Sequence, residues 1–399
     1  MICNQKGLEG WSMTAERVLL TAVKYILDPD DLSAKERLRD TDSVQWSELL
    51  LLAQKHSLEN LLYYILPELP EACQPESALT QRLKRAALVA SAKSCTQLHA
   101  AEELLGAFEA HGVDAMLLKG INTKKRYRRD DLRTMGDVDV LYKPAQQAQV
   151  QKVLQALGYA GFKEGQKHDH YSRKPYVSLE MHRELVASDS QYAAYYEDIW
   201  ERSQRKAGYA HIFEMPLEDE FIFNFVHLTE HFKAGGIGVR LIMDVYVYLQ
   251  QDTMDMAYIE GELKKLGLAE FYHKIQAVAL KWFGRPDSQP EEPVVPALEA
   301  FILNSGLFGT QENAAALAVG QGGRGHFLLR TCFPSLKRMQ SMYPWLKKWP
   351  VLLPYAWARR GIGTVLFRNY NLRSEYKKLT TGDKTLGRDL QDFYRECGL

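Results

Sequence analysis

The chain has 399 residues, of which 46% are hydrophobic and 25% are charged, and its formal net charge is zero. These values are ordinary for a folded, soluble protein of two or three lobes, and the overall charge does not indicate a nucleic-acid binder. The N-terminus lacks the pattern of a signal peptide, and the longest apolar stretch, near residues 351–358, is far shorter than the roughly 20 residues of a transmembrane helix. Five widely spaced cysteines without a CxxC pair favour a reduced, cytoplasmic protein.

The first part of the chain has the apolar spacing of helices as far as about residue 66, and prolines at 67, 70 and 75 then mark a boundary. A long helix is predicted over 77–110, ended by His111-Gly112. The next segment differs, because short strands are predicted at 114–118, 136–142 and 176–182, with a helix after Pro144 between the second and the third.

Helical patterns return beyond residue 195, with helices predicted over 218–233 and 240–250 and a proline-rich connector over 285–296. We therefore predict an α+β fold in which a mixed β-sheet with flanking helices lies between two helical lobes. The expected divisions are an N-terminal helical lobe (1–76), an α/β core (77–190) and a C-terminal helical lobe (191–399).

Two aspartates stand out in the second predicted strand. Residues two apart in a strand point to the same face, so Asp137 and Asp139 are expected to project side by side. Parallel carboxylates repel each other unless a divalent cation lies between them, and hard oxygen ligands suit Mg²⁺ or Mn²⁺. The alternative is an edge strand that carries two surface aspartates.

Glu180 favours the metal site. It is the only acid of an alternating strand and shares a face with His182. If this strand lies beside that of Asp139, three carboxylates converge, which is what two-metal phosphoryl transfer requires. His168 and His170 are expected in a loop before the strand, either lining a cleft or simply solvated.

Lys119-Gly120 closes the strand that precedes the paired aspartates. A glycine at such a turn lets backbone N–H groups approach phosphate oxygens, and the lysine adds positive charge. Arg133, four residues before Asp137, is a further candidate for phosphate contact, although the pattern also fits a surface arginine.

Four segments together resemble a bacterial family of nucleotidyltransferases within the DNA polymerase β-like superfamily: Leu117-Leu-Lys-Gly, Arg133-Thr-Met-Gly-Asp-Val-Asp-Val-Leu, Leu157-Gly-Tyr and Val177-Ser-Leu-Glu-Met-His. The flanks at Trp46-Ser-Glu and Tyr343-Pro-Trp are similar too. Lys119-Gly120 departs from the superfamily's usual Gly-Ser at the phosphate turn.

The resemblance implies a metal-dependent enzyme, using Mg²⁺ or Mn²⁺, that moves a nucleoside monophosphate from an NTP such as ATP to an acceptor and releases pyrophosphate. It places Asp137, Asp139 and Glu180 as metal-binding catalytic carboxylates. The expected nucleotide-binding residues are Lys119, Gly120, Arg133 and His182. The acceptor stays open between a small molecule, a peptide or protein and RNA, and a degenerate NTP-binding module without turnover is the alternative.

His227-Leu-Thr-Glu-His231 matches the HxxEH pattern of inverted zinc peptidases. Both histidines would lie on one helix face, as a zinc site needs, with Glu230 between them. The nearest downstream acid pair, at 291–292, lies in the proline-rich connector rather than on a helix. A helix facing the cleft is therefore the preferred interpretation.

Residues 324–380 hold twelve Lys or Arg and one acid, Glu375, interleaved with aromatic residues. Such a basic aromatic segment fits an anionic partner, whether RNA, a phospholipid surface or a phosphorylated acceptor. The alternative is a solvated cationic face over an aromatic core.

Overall fold

The computed structural model describes residues 14–164, 168–285, 293–320, 329, 332–366 and 383–399. It is an α+β fold, as predicted, with a seven-stranded mixed sheet. The helices of the described residues, leaving aside short 3-10 turns, are α1 (Ala15–Leu27), α2 (Leu32–Arg39), α3 (Trp46–Lys55), α4 (Ser77–Ala110), α5 (Gly120–Lys124), α6 (Gln147–Ala156), α7 (Ile199–Arg202), α8 (Leu217–Ala234), α9 (Val239–Leu249), α10 (Met256–Lys265), α11 (Ala269–Phe283), α12 (Pro296–Ser305), α13 (Gln311–Gly320), α14 (Leu336–Met342), α15 (Leu353–Leu366) and α16 (Lys384–Glu396).

The sheet has the strand order β3-β4-β5-β2-β1-β7-β6. Its strands are β1 (Ala115–Leu118), β2 (Val138–Tyr142), β3 (Ala160–Glu164), β4 (His168–Arg173), β5 (Val177–His182), β6 (Gln204–Arg205) and β7 (Ile212–Glu214). The central strand β2 runs antiparallel to β1 and parallel to β5, and all five of its residues are buried. The register places Asp139 directly opposite Glu180, so the two acids lie on one face of neighbouring strands.

One face of the sheet packs on α4 and α6. The 34-residue helix α4 has the bounds that the sequence predicts, and Gly112, at φ 65°, turns the chain into β1. A glycine suits that backbone conformation because it has no Cβ to clash. The apolar residues of this layer come from α4, α6 and the strands: Ala100, Ala101, Leu104, Leu105, Phe108, Val138, Val140, Val150, Val153 and Leu154. This core covers one face of β2, and Asp139 projects from the opposite face, where Leu141 joins a second core.

A second apolar core joins the N-terminal helices α1–α3 with α8–α12. His56, at the end of α3, connects the two groups: its Nδ1 accepts from the backbone N–H of Val239 at 3.3 Å, and its Nε2 donates to the carbonyl of Leu303 at 3.1 Å. One neutral tautomer makes both bonds, and burial lowers the pKa of His56 to about 4, which keeps it neutral. The two helical lobes thus share one core. The divisions at residues 76 and 190 remain predictions.

The segment around His168 and His170 differs from the sequence prediction. The loop predicted around His168 and His170 is wrong, since both residues lie on strand β4. Asp169 and Tyr171 are the buried residues of this strand. Because Asp169 is charged, the segment lacks the alternation of apolar and polar residues that predicts a strand. Asp169 is tolerated there because Arg183 donates to its carboxylate at 3.0 Å.

The proline-rich connector over 285–296 lies largely outside the described residues, and so does much of the basic aromatic segment over 324–380. Within the parts of the chain that are described, no helix is both long and apolar enough to cross a membrane.

Candidate active site

Asp139 is a buried acid in the centre of the sheet with two cationic or protonatable neighbours. Its Oδ1 lies 2.8 Å from His182 Nε2 and 3.1 Å from Lys119 Nζ. Burial opposes ionisation, but the positive charge of Lys119 and the bond from His182 outweigh it and hold the pKa of Asp139 well below its usual range. Asp139 is therefore a carboxylate that already attracts a cation.

Glu180, on β5, is surrounded by imidazoles. Its Oε2 lies 3.4 Å from His168 Nε2 and 3.5 Å from His182 Nε2, and its Oε1 lies 3.5 Å from His170 Nδ1. Burial and Asp139 both raise its pKa, but His182 and His168 outweigh them, and the net result is a pKa below the ordinary value. Two ionised carboxylates thus stand side by side on adjacent strands.

The hairpin of β4 and β5 brings the three histidines to the acids. His168 is opposite His182 and His170 is opposite Glu180 in the antiparallel register. The ligand atoms of His168, Glu180 and His182 all lie within 4.8 Å of one another, and no other group of three His, Cys, Asp or Glu residues meets that criterion in the described chain. These three residues are a candidate His/Glu/His metal site. The sequence analysis assigns no role to His168 and expects His182 to bind the nucleotide.

Asp137 reaches the same cleft from a different position. It lies just before β2 begins at Val138 and is half-buried. It lines the cleft with Asp139 and Glu180. The predicted projection from a rigid strand thus applies to Asp139, whereas Asp137 is placed by the segment that leads into the strand.

Lys119 and Gly120 form the turn between β1 and α5. Lys119 has φ 46°, a backbone conformation that residues other than glycine rarely adopt. Its side-chain amine donates to Asp139. A Cβ on Gly120 would lie 2.9 Å from Arg133 Nη1, so the close approach of this guanidinium requires glycine. This turn is shaped by packing against Arg133.

Arg133 is buried, and it is paired within the protein. Its Nε and Nη2 donate to the two carboxylate oxygens of Asp244, on α9, at 2.7 and 2.8 Å, and Tyr127 donates to the same carboxylate at 2.7 Å. Burial alone would lower the pKa of Arg133, but Asp244 raises it above the ordinary value. Arg133 lines the cleft, while its bidentate partner occupies its strongest donors.

Arg240 is a functional candidate that the sequence interpretation missed. It is also buried and lines the cleft, it donates to Thr134 Oγ1 at 3.2 Å, and its Nε has no hydrogen-bond partner among the described residues. Burial and the neighbouring Arg133 lower its pKa to about 10. Asp244 pairs with Arg133 and lies close enough to Arg240 to act on its pKa, so one carboxylate stands near two guanidinium groups at this wall. The i, i+4 spacing of Arg240 and Asp244 was the available signal.

The cleft has a volume of about 480 Å³ and lies between the strand face and helices α8 and α9. Phe308 borders it and is 53% exposed, which is unusual for a large aromatic residue. The ring contacts that of His231 at a centroid distance of 4.7 Å, and the guanidinium of Arg240 lies 5.8 Å from its centroid. Phe308 lies between Leu307 and Gly309 in a short loop, and no sequence pattern marks it.

The HxxEH motif forms part of the same wall. His227 and His231 lie on α8 with their Nε2 atoms 3.0 Å apart, and Glu230 accepts from Ser190 at 3.3 Å. Glu230 and the two histidines do not form a three-ligand metal group within the described residues. The motif is therefore explained by a helix that faces the cleft.

Carboxylates on neighbouring strands that face a cleft with two buried arginines suit metal-assisted phosphoryl transfer. The family described as "Uncharacterised nucleotidyltransferase" matches residues 42–284, and the chain belongs to it. This confirms the resemblance seen in the sequence. No curated protein and no solved structure matches the chain. The match includes the three carboxylates and both arginines and ends before Phe308.

Proposed function

We propose that this protein transfers a nucleoside monophosphate from an NTP to an acceptor hydroxyl and releases pyrophosphate, with Mg²⁺ or Mn²⁺ as cofactor. The main observation is the pair of ionised carboxylates, Asp139 and Glu180, in register on adjacent parallel strands. Asp137 lies directly before β2 and lines the same cleft. Family membership supports the class of reaction.

The donor set fits a divalent cation. Carboxylate oxygens are the ligands that Mg²⁺ and Mn²⁺ prefer, and Asp137, Asp139 and Glu180 would hold the metal. The amine of Lys119, 3.1 Å from Asp139, shows that this position already attracts positive charge. When bound, the metal neutralises charge on the triphosphate and makes the attacking hydroxyl more acidic.

The protein's own residues would provide charge and a proton acceptor. We assign Glu180 as the acceptor of the proton from the attacking hydroxyl, because its low pKa leaves it ionised and His182 fixes its position. As the O–H bond breaks, the oxygen forms a bond to the α-phosphorus and the bond to pyrophosphate breaks. Lys119 would offset charge on the phosphates beside Asp139.

The nucleotide would lie across the cleft. The guanidinium groups of Arg133 and Arg240 both line the cleft, which favours the polyphosphate at the α9 wall. Phe308 offers an exposed ring to the nucleobase. The loop that carries Phe308 is fixed at both ends, because Leu307 donates to the carbonyl of Lys55 at 3.0 Å and Thr310 to that of Gly235 at 3.3 Å.

Label transfer from α-³²P NTPs tests the proposed reaction. The protein is incubated with each NTP, Mg²⁺ or Mn²⁺ and cell extract as the source of acceptors, with Asp137→Ala as the control. We expect a labelled product that is absent with Asp137→Ala, and its size identifies the acceptor as a small molecule, a protein or RNA. NTP binding without transfer under any of these conditions would instead support a binding module.

Phe308→Ala tests the position of the nucleobase. Stacking on an aromatic ring contributes about 1–3 kcal/mol, so we expect the dissociation constant of the NTP to rise roughly tenfold. Tripolyphosphate has no base, and its binding should be unchanged. Arg240→Met should weaken both ligands. Calorimetric titration measures all four cases, and an equal loss of both ligands in Phe308→Ala would contradict the stacking.

A further inference from the structure

We propose that His168, Glu180 and His182 form a site for a transition-metal ion such as Zn²⁺ or Co²⁺, distinct from the all-oxygen magnesium position and sharing Glu180 with it. The inference deepens the proposed function, on which its catalytic meaning rests. The binding of the ion itself does not depend on transfer.

The distances fit such an ion. Around a metal with bonds of about 2.1 Å, tetrahedral ligand atoms lie roughly 3.4 Å apart. His168 Nε2 and His182 Nε2 lie 3.4 and 3.5 Å from the same oxygen, Oε2 of Glu180. The rings of His168 and His182 have centroids 4.7 Å apart, and the three ligand atoms all lie within 4.8 Å of one another.

The backbone fixes these positions before any ion binds. Glu180 and His182 are two residues apart on β5, and His168 is their cross-strand neighbour on β4, opposite His182. His182 Nε2 lies 2.8 Å from Asp139 Oδ1, so this nitrogen gives up its proton to the solvent when it binds the ion. Ligands on paired strands lose little freedom on binding, which favours affinity.

The chemistry of the donors separates this ion from magnesium. Imidazole nitrogens suit Zn²⁺, Co²⁺ and related metals, whereas Mg²⁺ prefers oxygen ligands and keeps several waters. Two histidines and one glutamate, with a free position, is the donor set of several catalytic zinc sites. The side chains of His168 and Glu180 are 25% and 17% exposed in the cleft, which gives an ion access.

Cobalt titration provides the test, since Co²⁺ bound by histidine in a four- or five-coordinate site absorbs visible light. Metal-stripped protein is titrated with CoCl₂ without nucleotide. We expect one equivalent of Co²⁺ to produce the visible bands. Zn²⁺ should displace the Co²⁺, and excess Mg²⁺ should leave it bound. Wild-type protein without these bands would overturn the inference.

Three variants locate the ion. His168→Gln and Glu180→Gln should each weaken Co²⁺ binding at least about tenfold, with circular dichroism to confirm that both fold. His227→Gln is the matched control in the HxxEH motif and should bind like wild type. If His227→Gln lost Co²⁺ binding while His168→Gln retained it, the ion would lie at α8 and the inference would be refuted.

Failure of this inference is distinguishable from failure of the proposed function. Metal-stripped protein that transfers the label with Mg²⁺ but binds no Co²⁺ refutes the His/Glu/His site alone. Protein that binds one Co²⁺ at His168 but transfers no label under any condition refutes the transferase and retains the metal site.

Discussion

Asp139→Asn is expected to lower the rate of nucleotidyl transfer by about a thousandfold or more, while the protein stays folded. The substitution keeps the shape of the side chain but removes the charge that pairs with Lys119 and would hold the metal. Charge stabilisation by a bound metal contributes several kcal/mol to the transition state, and each 1.4 kcal/mol corresponds to a factor of ten. Single-turnover kinetics with saturating NTP measure the loss.

A matched control separates catalysis from packing. Asp114 is also partly buried and also pairs with one lysine and one histidine, Lys143 and His211, each at 2.8 Å, but it does not line the cleft. Asp114→Asn removes a similar pair of contacts and should keep near wild-type transfer. If Asp139→Asn were as active as Asp114→Asn, the assignment of Asp139 as a metal ligand would be wrong.

Elements with strong periodic patterns could be predicted from the sequence. The sequence pattern predicts helix α4 with its observed bounds, and the alternation around Asp139 and Glu180 predicts β2 and β5. These patterns are local, because they depend on which residues face a core. The assignments of Asp137, Asp139 and Glu180 to metal binding stay predictions that the geometry supports.

The neighbours of the acids could not be predicted in the same way. Alternation identified β2 and β5 separately, but their parallel pairing depends on the connection through β3 and β4, for which local patterns give no register. The imidazoles around Glu180 follow from the β4–β5 hairpin. With His168 assigned to a loop, the sequence interpretation had no means to bring it to Glu180.

Long-range pairs account for the remaining differences. Arg133 and Asp244 are 111 residues apart, and no local sequence pattern at either residue indicates that the two pair. The sequence makes Arg133 a candidate for phosphate contact, with a surface arginine as the alternative. The structure shows that it is paired with Asp244, while Arg240 beside it has a free Nε among the described residues. Whether a buried arginine pairs with an acid of the protein or is left to bind phosphate depends on which acid the folded core places beside it.

The second large effect concerns this ion pair. Asp244→Ala is expected to destabilise the protein by about 3–5 kcal/mol, because it leaves the buried guanidinium of Arg133 without a counter-ion. Arg240 lies nearby, and burial together with the charge of Arg133 lowers its pKa to about 10, so it adds to the repulsion. Tyr127 would lose its acceptor as well. Urea unfolding followed by circular dichroism measures the change.

Two comparisons identify the cause of that loss. Asp198→Ala removes an exposed carboxylate from Arg202, which keeps its bond to Asp219, and should cost less than about 1 kcal/mol. The double variant Arg133→Met/Asp244→Leu replaces the buried pair with apolar side chains and should recover most of the stability. If Asp244→Ala were no more destabilising than Asp198→Ala, the pair would contribute little to folding. Recovery of stability without recovery of NTP binding would show that the charge at this wall serves the nucleotide.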